Sequence, residues 1–174
     1  MIQTAVKLQR RWERRWPASA EQALEEAKAE GLSVLGLGGQ RICLRAERDD
    51  QVLKAAWQEK GLVDNLLEWR LWQRAEPKLR RLLCPSLALE EAGILRQARC
   101  LPAAPEALGS RAGEICLELA RHGISDCHVN LGLLVEPQDG STRVVCYDYN
   151  VLRPRLAREL LLSRPGKAGS EQAP

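Results

Sequence analysis

Residues 33–57 read SVLGLGGQRICLRAERDDQVLKAAW, and the fold is decided in this stretch. Three runs of strand-forming residues, 33–35, 42–46 and 52–57, are separated by turn formers. Gly36-Leu37-Gly38-Gly39 makes the first turn and Arg48-Asp49-Asp50 the second. Connections this short leave no room for a crossover helix, so the strands are expected to pair as an antiparallel meander. In the third strand Lys54 alternates with Leu53 and Ala55 and therefore lies on the opposite face from both. A lysine in an apolar strand either carries its ammonium out to water or points into a cleft, where it needs a carboxylate partner.

Outward toward the N-terminus, residues 2–16 interleave Lys7, Arg10, Arg11, Arg14 and Arg15 with Trp12 and Trp16. Four residues apart, the tryptophans share one helix face. A helix that docks its tryptophans and solvates its arginines is preferred here over a nucleic-acid or membrane-surface contact. After Pro17, Ser19 reads as an N-cap with Gln22 completing a capping box; residues 20–30 make a short helix, and Gly31 suits its C-cap.

Outward in the other direction, residues 62–82 read as one helix, with Leu62, Leu66, Trp69 and Leu83 near one stripe and Pro77 as a kink or an end. Glu68 lies on this helix and can supply the carboxylate that Lys54 needs. Residues 87–89 and 93–97 are two more strands. Pro102, Pro105 and Gly109 mark a linker. An amphipathic helix at 112–122 leads into a polar loop at 124–132, where Asp126, His128 and Asn130 crowd together. Strands at 133–135 and 143–147 form a hairpin around Pro137-Gln138-Asp139-Gly140. Asp148 leaves the hairpin within Tyr147-Asp148-Tyr149-Asn150, a position from which a carboxylate can meet a cation. A last helix fits 155–162, and the Gly, Ser, Pro and Ala-rich tail is expected to be disordered.

Composition narrows the classes. At 174 residues the chain can form one domain or two small lobes sharing a cleft. A net charge of +3 does not by itself argue for nucleic acid. No apolar run is long enough to span a bilayer, and charges at Lys7, Arg10 and Arg11 interrupt any signal-peptide core, so a cytoplasmic protein with no membrane partner is expected. The six cysteines are scattered singly with no C-x-x-C pair, which argues against zinc and redox motifs and for buried free thiols.

Taken in order, these pieces resemble the protein-kinase-like superfamily across residues 32–150. Leu35-Gly36-x-Gly38-Gly39-x-Arg41 is similar to its phosphate-covering loop, Val52-Leu53-Lys54-Ala55 to its strand lysine, and Asn65-x-x-Glu68 to its helix glutamate. The segment Ile124-Ser125-Asp126-Cys127-His128-Val129-Asn130 resembles the catalytic loop, closer to aminoglycoside-phosphotransferase-like kinases than to the His-Arg-Asp form. Asp148-Tyr149-Asn150 stands where the family has Asp-Phe-Gly.

The resemblance implies an α+β, kinase-like two-lobe fold. Residues 1–31 would be an N-terminal helical extension, 32–101 an antiparallel N-lobe sheet with one packed helix, 102–162 a minimal, truncated helical C-lobe with a hairpin, and 163–174 the tail. It implies ATP and Mg²⁺ in the cleft between the lobes. Gly36, Gly38, Gly39 and Lys54 would hold the nucleotide, Glu68 would brace Lys54, Asp126 would act as catalytic base, and Asn130 and Asp148 would be metal ligands. Residues 97–101 would be the hinge for adenine. The chain departs from the family in three ways: Asp126 to Asn130 is one residue short, Asn150 replaces glycine, and little follows Asp148. The expected function is phosphotransfer to a hydroxyl acceptor that the sequence does not name. The alternatives are a catalytically inactive kinase-like pseudoenzyme that binds a protein partner, and a basic nucleic-acid-associated domain.

Overall fold

The meander forms as its turn chemistry directs. In the computed structural model, which describes residues 1–125, 130–136, 139–149 and 152–162, β1 (Val34–Leu37), β2 (Arg41–Arg45) and β3 (Gln51–Ala56) pair antiparallel in sequence. β5 (Leu95–Ala98) then pairs with β3, and β4 (Ser86–Leu89) takes the outside edge, giving the order β1-β2-β3-β5-β4. A second sheet joins β6 (Leu101–Pro102), β7 (Leu131–Val135) and β8 (Thr142–Cys146). The protein is thus α+β, with a five-stranded antiparallel sheet.

Both faces of the first sheet are covered, and strand alternation explains how. Ile42, Leu44, Leu53, Ala55 and Trp57 pack against α1 (Ile2–Arg14) and α2 (Ala20–Ala29). Trp12 is wholly buried there and donates its indole N–H to Glu26 at 2.8 Å, so the N-terminal segment is a docked helix. Gln9, also buried, accepts from the Ala56 N–H at 2.7 Å. That amide lies just past the β3–β5 ladder, whose register ends at Lys54 opposite Leu95. Ser19 caps α2 by accepting from Gln22 N at 3.2 Å, while the Gln22 side chain reaches back to Ala18 N rather than to the cap residue itself.

α3 (Glu59–Arg74) packs against β3, β4 and β5. The single helix expected over 62–82 is in fact two: α3 ends before Ala75, whose extended backbone precedes a four-residue turn of helix, α4 (Pro77–Arg80). The cause is Pro77, which disfavours helical geometry in the residue before it and is at home in a first turn. Leu83 consequently lies beyond the helix, in a bridge to Cys146, and is fully buried. A second correction concerns Gly36, which belongs to β1, at a register irregularity; the turn begins at Gly38.

α5 (Pro105–Leu108) and α6 (Ser110–Arg121) lead toward β7, and α7 (Pro154–Leu162) follows β8. A second core gathers Leu67, Leu71, Leu83, Ile115, Leu119, Ile124, Leu131, Val144, Tyr149 and Leu160. Tyr149 ties β8 to β4: its hydroxyl donates to Cys84 O at 3.0 Å and lies 2.6 Å from the Ser86 hydroxyl. Among the described residues no helix is long and apolar enough to cross a membrane.

Candidate functional site

The β2–β3 register sets the site. Cys43 lies opposite Lys54, so the face that carries Lys54 also carries Cys43 and, two residues earlier, Arg41. All three line a cleft of about 580 Å³. Its roof is the β1–β2 hairpin, with Gly36 in β1 and Gly38 and Gly39 in the turn. One wall is the segment from Gln97 through Pro102, and Asn130, Tyr147 and Asp148 close the far side.

None of the three glycines has a left-handed backbone, and a side chain at Gly36 or Gly39 would meet nothing closer than ordinary contact. The fold therefore does not require glycine at these two positions; what glycine supplies is bare backbone over the cleft. Trp57 steadies the turn from behind, with its indole N–H on Gly38 O at 3.0 Å and its amide on Gln40 O at 3.1 Å.

Beneath the turn lies a four-charge cluster. Glu68, projected from α3 and fully buried, is 2.9 Å from Lys54 Nζ through Oε2 and 2.7 Å from Arg41 Nη1 through Oε1. Arg41 Nη2 is bonded to Asp148 Oδ1. Lys54 also donates to Tyr147 O at 2.5 Å, which couples β3 to the exit of β8. Two amides complete the network. Asn65 accepts from Arg41 Nη1 at 3.1 Å and donates to Lys54 O and Gly93 O, both at 2.8 Å; Gln97 donates to Glu68 at 3.3 Å.

Burial pushes the Glu68 carboxyl up, against the pull of Arg41 and Lys54. Burial acts on Asp148 in the same sense, but Lys54 and Arg41 outweigh it and bring that carboxyl down to about 2. The Arg41 guanidinium loses solvation by burial, and the carboxylates around it more than compensate, so its charge is permanent.

Of the residues singled out in sequence, the structure gathers Gly36, Gly38, Gly39, Lys54, Glu68, Asn130 and Asp148 at one cleft. Asp126, the candidate base, lies outside the described residues, as do His128 and Asn150. Sequence reasoning missed Arg41 as a buried member, and also Asn65 and Gln97. The signal for Arg41 was present: apolar Ile42 and Leu44 alternate with Arg41 and Cys43, which sends the latter pair to the Lys54 face.

The chain matches no protein-family model, no curated protein and no solved structure.

The same cluster is where Mg²⁺ would be held. Mg²⁺ takes a few carboxylate or amide oxygens together with water and phosphate. Asp148 is the one carboxylate at the position expected of such a ligand, and Arg41 engages it. Among the described residues no group of three or more His, Cys, Asp and Glu side chains is arranged for a metal ion. The described donor set fits a permanent cation from the protein better than a divalent ion.

A larger and more open hollow, about 620 Å³, lies between Trp72, Arg80, Arg81, Arg111, Glu118 and Arg143. Its charges are mostly used locally: Arg80 stacks over Trp72, Arg143 pairs with Glu136, and Arg121 pairs with Glu118. It lacks the convergence of buried charged and amide groups seen at Glu68, so the smaller cleft is the better candidate.

Proposed function

We propose that this chain is a kinase-like protein that binds a nucleoside triphosphate, ATP in the first instance, in the cleft between the β1–β2 hairpin and the segment from Gln97 through Pro102. The observation that carries the reading is the buried Lys54–Glu68 pair at 2.9 Å, set beneath a glycine turn and facing Asp148. Lys54, Glu68 and Asp148 are residues to which the family resemblance gives roles. They come from β3, α3 and the exit of β8 and meet at one cleft, which supports the reading. The five-stranded antiparallel sheet with a packed helix agrees with the lobe that the resemblance implies. At the cleft Arg41, Lys54, Lys60 and Arg99 face Asp64, Asp148 and the buried Glu68, so the cations exceed the carboxylates by one.

In this reading the base lies against the segment from Gln97 through Pro102, and the phosphates extend under the glycine turn toward Lys54. Transfer would then join a hydroxyl oxygen of the acceptor to the terminal phosphorus and break the bond to the bridging oxygen. Asp126 would take the hydroxyl proton, and the nucleoside diphosphate would leave. Catalysis of this kind rests on positioning and on neutralising charge.

A second reading, a kinase-like pseudoenzyme acting as an interaction module, is favoured by one observation: Arg41 engages Asp148. The two readings share the nucleotide site and differ in turnover.

Thermal-shift titration with ATP tests the site. Saturation to roughly 100 times the dissociation constant should add about 2.7 kcal/mol of stability. Lys54→Met should abolish the shift while the variant remains folded by circular dichroism. An unchanged shift in Lys54→Met, or none in the parent chain at millimolar ATP, would remove the nucleotide reading. Phosphate release that vanishes in Asp126→Asn would separate the enzyme from the pseudoenzyme.

A further inference from the structure

We propose that Arg41 takes the place of the divalent ion, so that the cleft binds the phosphates of a nucleotide without magnesium. This rests on the nucleotide reading above and deepens it by assigning the counter-charge.

Three observations carry it. The first is where Arg41 is directed. Its side chain is 8% exposed, and its guanidinium is shared among Glu68 Oε1 at 2.7 Å, Asn65 Oδ1 at 3.1 Å and Asp148 Oδ1. It occupies the space between the glutamate that braces the lysine and the aspartate where a metal would be held. The Asp148 carboxylate is thereby neutralised by the protein, and a divalent ion would have to displace from its Oδ1 a guanidinium that cannot lose its proton.

The second observation is that Arg41 is built in. Its backbone carbonyl accepts from Gly38 N at 2.8 Å, which sets it as the first residue of β2. Its partner Asn65 is fixed in turn by two backbone carbonyls, one on β3 and one at Gly93. α3 approaches so closely here that a Cβ at Gly61 would lie 3.0 Å from Arg41 Cγ and 2.5 Å from Gln40 O. The helix start, the hairpin turn and the arginine stem thus form one packed unit, and the guanidinium is held ready before any ligand arrives.

The third is charge. Arg41 and Lys54 are offset by Glu68 and Asp148, and Lys60 by Asp64 at 3.5 Å, so the protein's own cations already meet the carboxylates a divalent ion would need, and Arg99 on the same wall is left to face a phosphate.

The experiment is calorimetric titration of the full chain with ATP, once in EDTA and once in excess magnesium chloride. The expected result is a dissociation constant in EDTA within a few-fold of that in magnesium. Arg41→Gln should weaken binding in EDTA by about tenfold or more, the loss of one charge-assisted contact, and magnesium should restore part of it. Binding by the parent chain only when magnesium is present would overturn the inference and leave the nucleotide site standing. Binding in neither buffer would overturn both. The parent-chain comparison decides the matter even where Arg41→Gln does not fold. Arg41→Lys, which keeps the charge and loses the fork, provides the second variant and is expected to fall between the two in EDTA; affinity equal to that of the parent would count against the assigned geometry.

Discussion

Glu68 is completely enclosed, and its charge is kept there by two cations at hydrogen-bonding distance. Taking two or more charges out of water is costly, and removing one partner of such a set leaves the others uncompensated. Glu68→Ala should therefore lower stability by about 3–5 kcal/mol in urea denaturation, far more than the loss of an exposed ion pair such as Arg48–Asp50. A loss below about 1 kcal/mol would mean that the cluster is hydrated or loosely assembled.

Asp148 makes a prediction of the opposite kind, about pH. Its folded pKa, about 2, is below the ordinary 3.8, so its charged form stabilises the fold. That contribution is complete above about pH 4 and is lost as pH falls through 4 toward 2. Glu68 works against it, because burial raises its pKa and protonation relieves that cost as pH falls. The difference between the parent chain and Asp148→Asn isolates the aspartate: the gap in stability should be constant near neutrality and should close between pH 4 and 2. A gap that persists at pH 2 would show that Asp148 does not hold Arg41 through its charge.

At the scale of elements, the contact between α3 and the β1–β2 hairpin governs the cleft. Gly61, in the first turn of α3, faces Gln40 O and Ala56 Cβ at distances no side chain tolerates. By propensity alone, alanine would be the better helix residue by about 1 kcal/mol. Overpacking against backbone reverses the sign, and Gly61→Ala should destabilise by about 1–3 kcal/mol in chemical denaturation. It should also weaken ATP binding, since the helix start can retreat only by shifting Arg41. A stabilised variant would mean that α3 stands off the hairpin.

Elements were the scale at which sequence patterns served best. The meander, the Ser19 cap and the docked Trp12 helix were legible because each is set by neighbours in the chain: turn residues, a capping side chain, and a four-residue aromatic spacing. The division of 62–82 into α3 and α4 was less so. The apolar stripe runs through the break, and Pro77 left both a kink and an end open.

Across the whole molecule, the sequence by itself determined the meander, the N-terminal helices and which of their faces are apolar. It also marked Lys54, Glu68 and Asp148 as groups needing partners, since an ionisable residue set in an apolar pattern carries that requirement wherever it lands. Glu68 was already legible as the partner of Lys54, but only the tertiary structure brought Arg41 to Glu68 and Asp148. Arg41 and Asp148 are 107 residues apart, and nothing local relates them. Cys84 and Cys100 are likewise unconnected in sequence pattern, yet they pack in one cluster behind the cleft, where Cys84 donates to Ala98 O at 3.1 Å. The physical reason is the same in both cases. Strand alternation settles the face of a side chain through covalent geometry, whereas the opposing group arrives by sheet order and helix packing, which depend on the burial of all the elements at once.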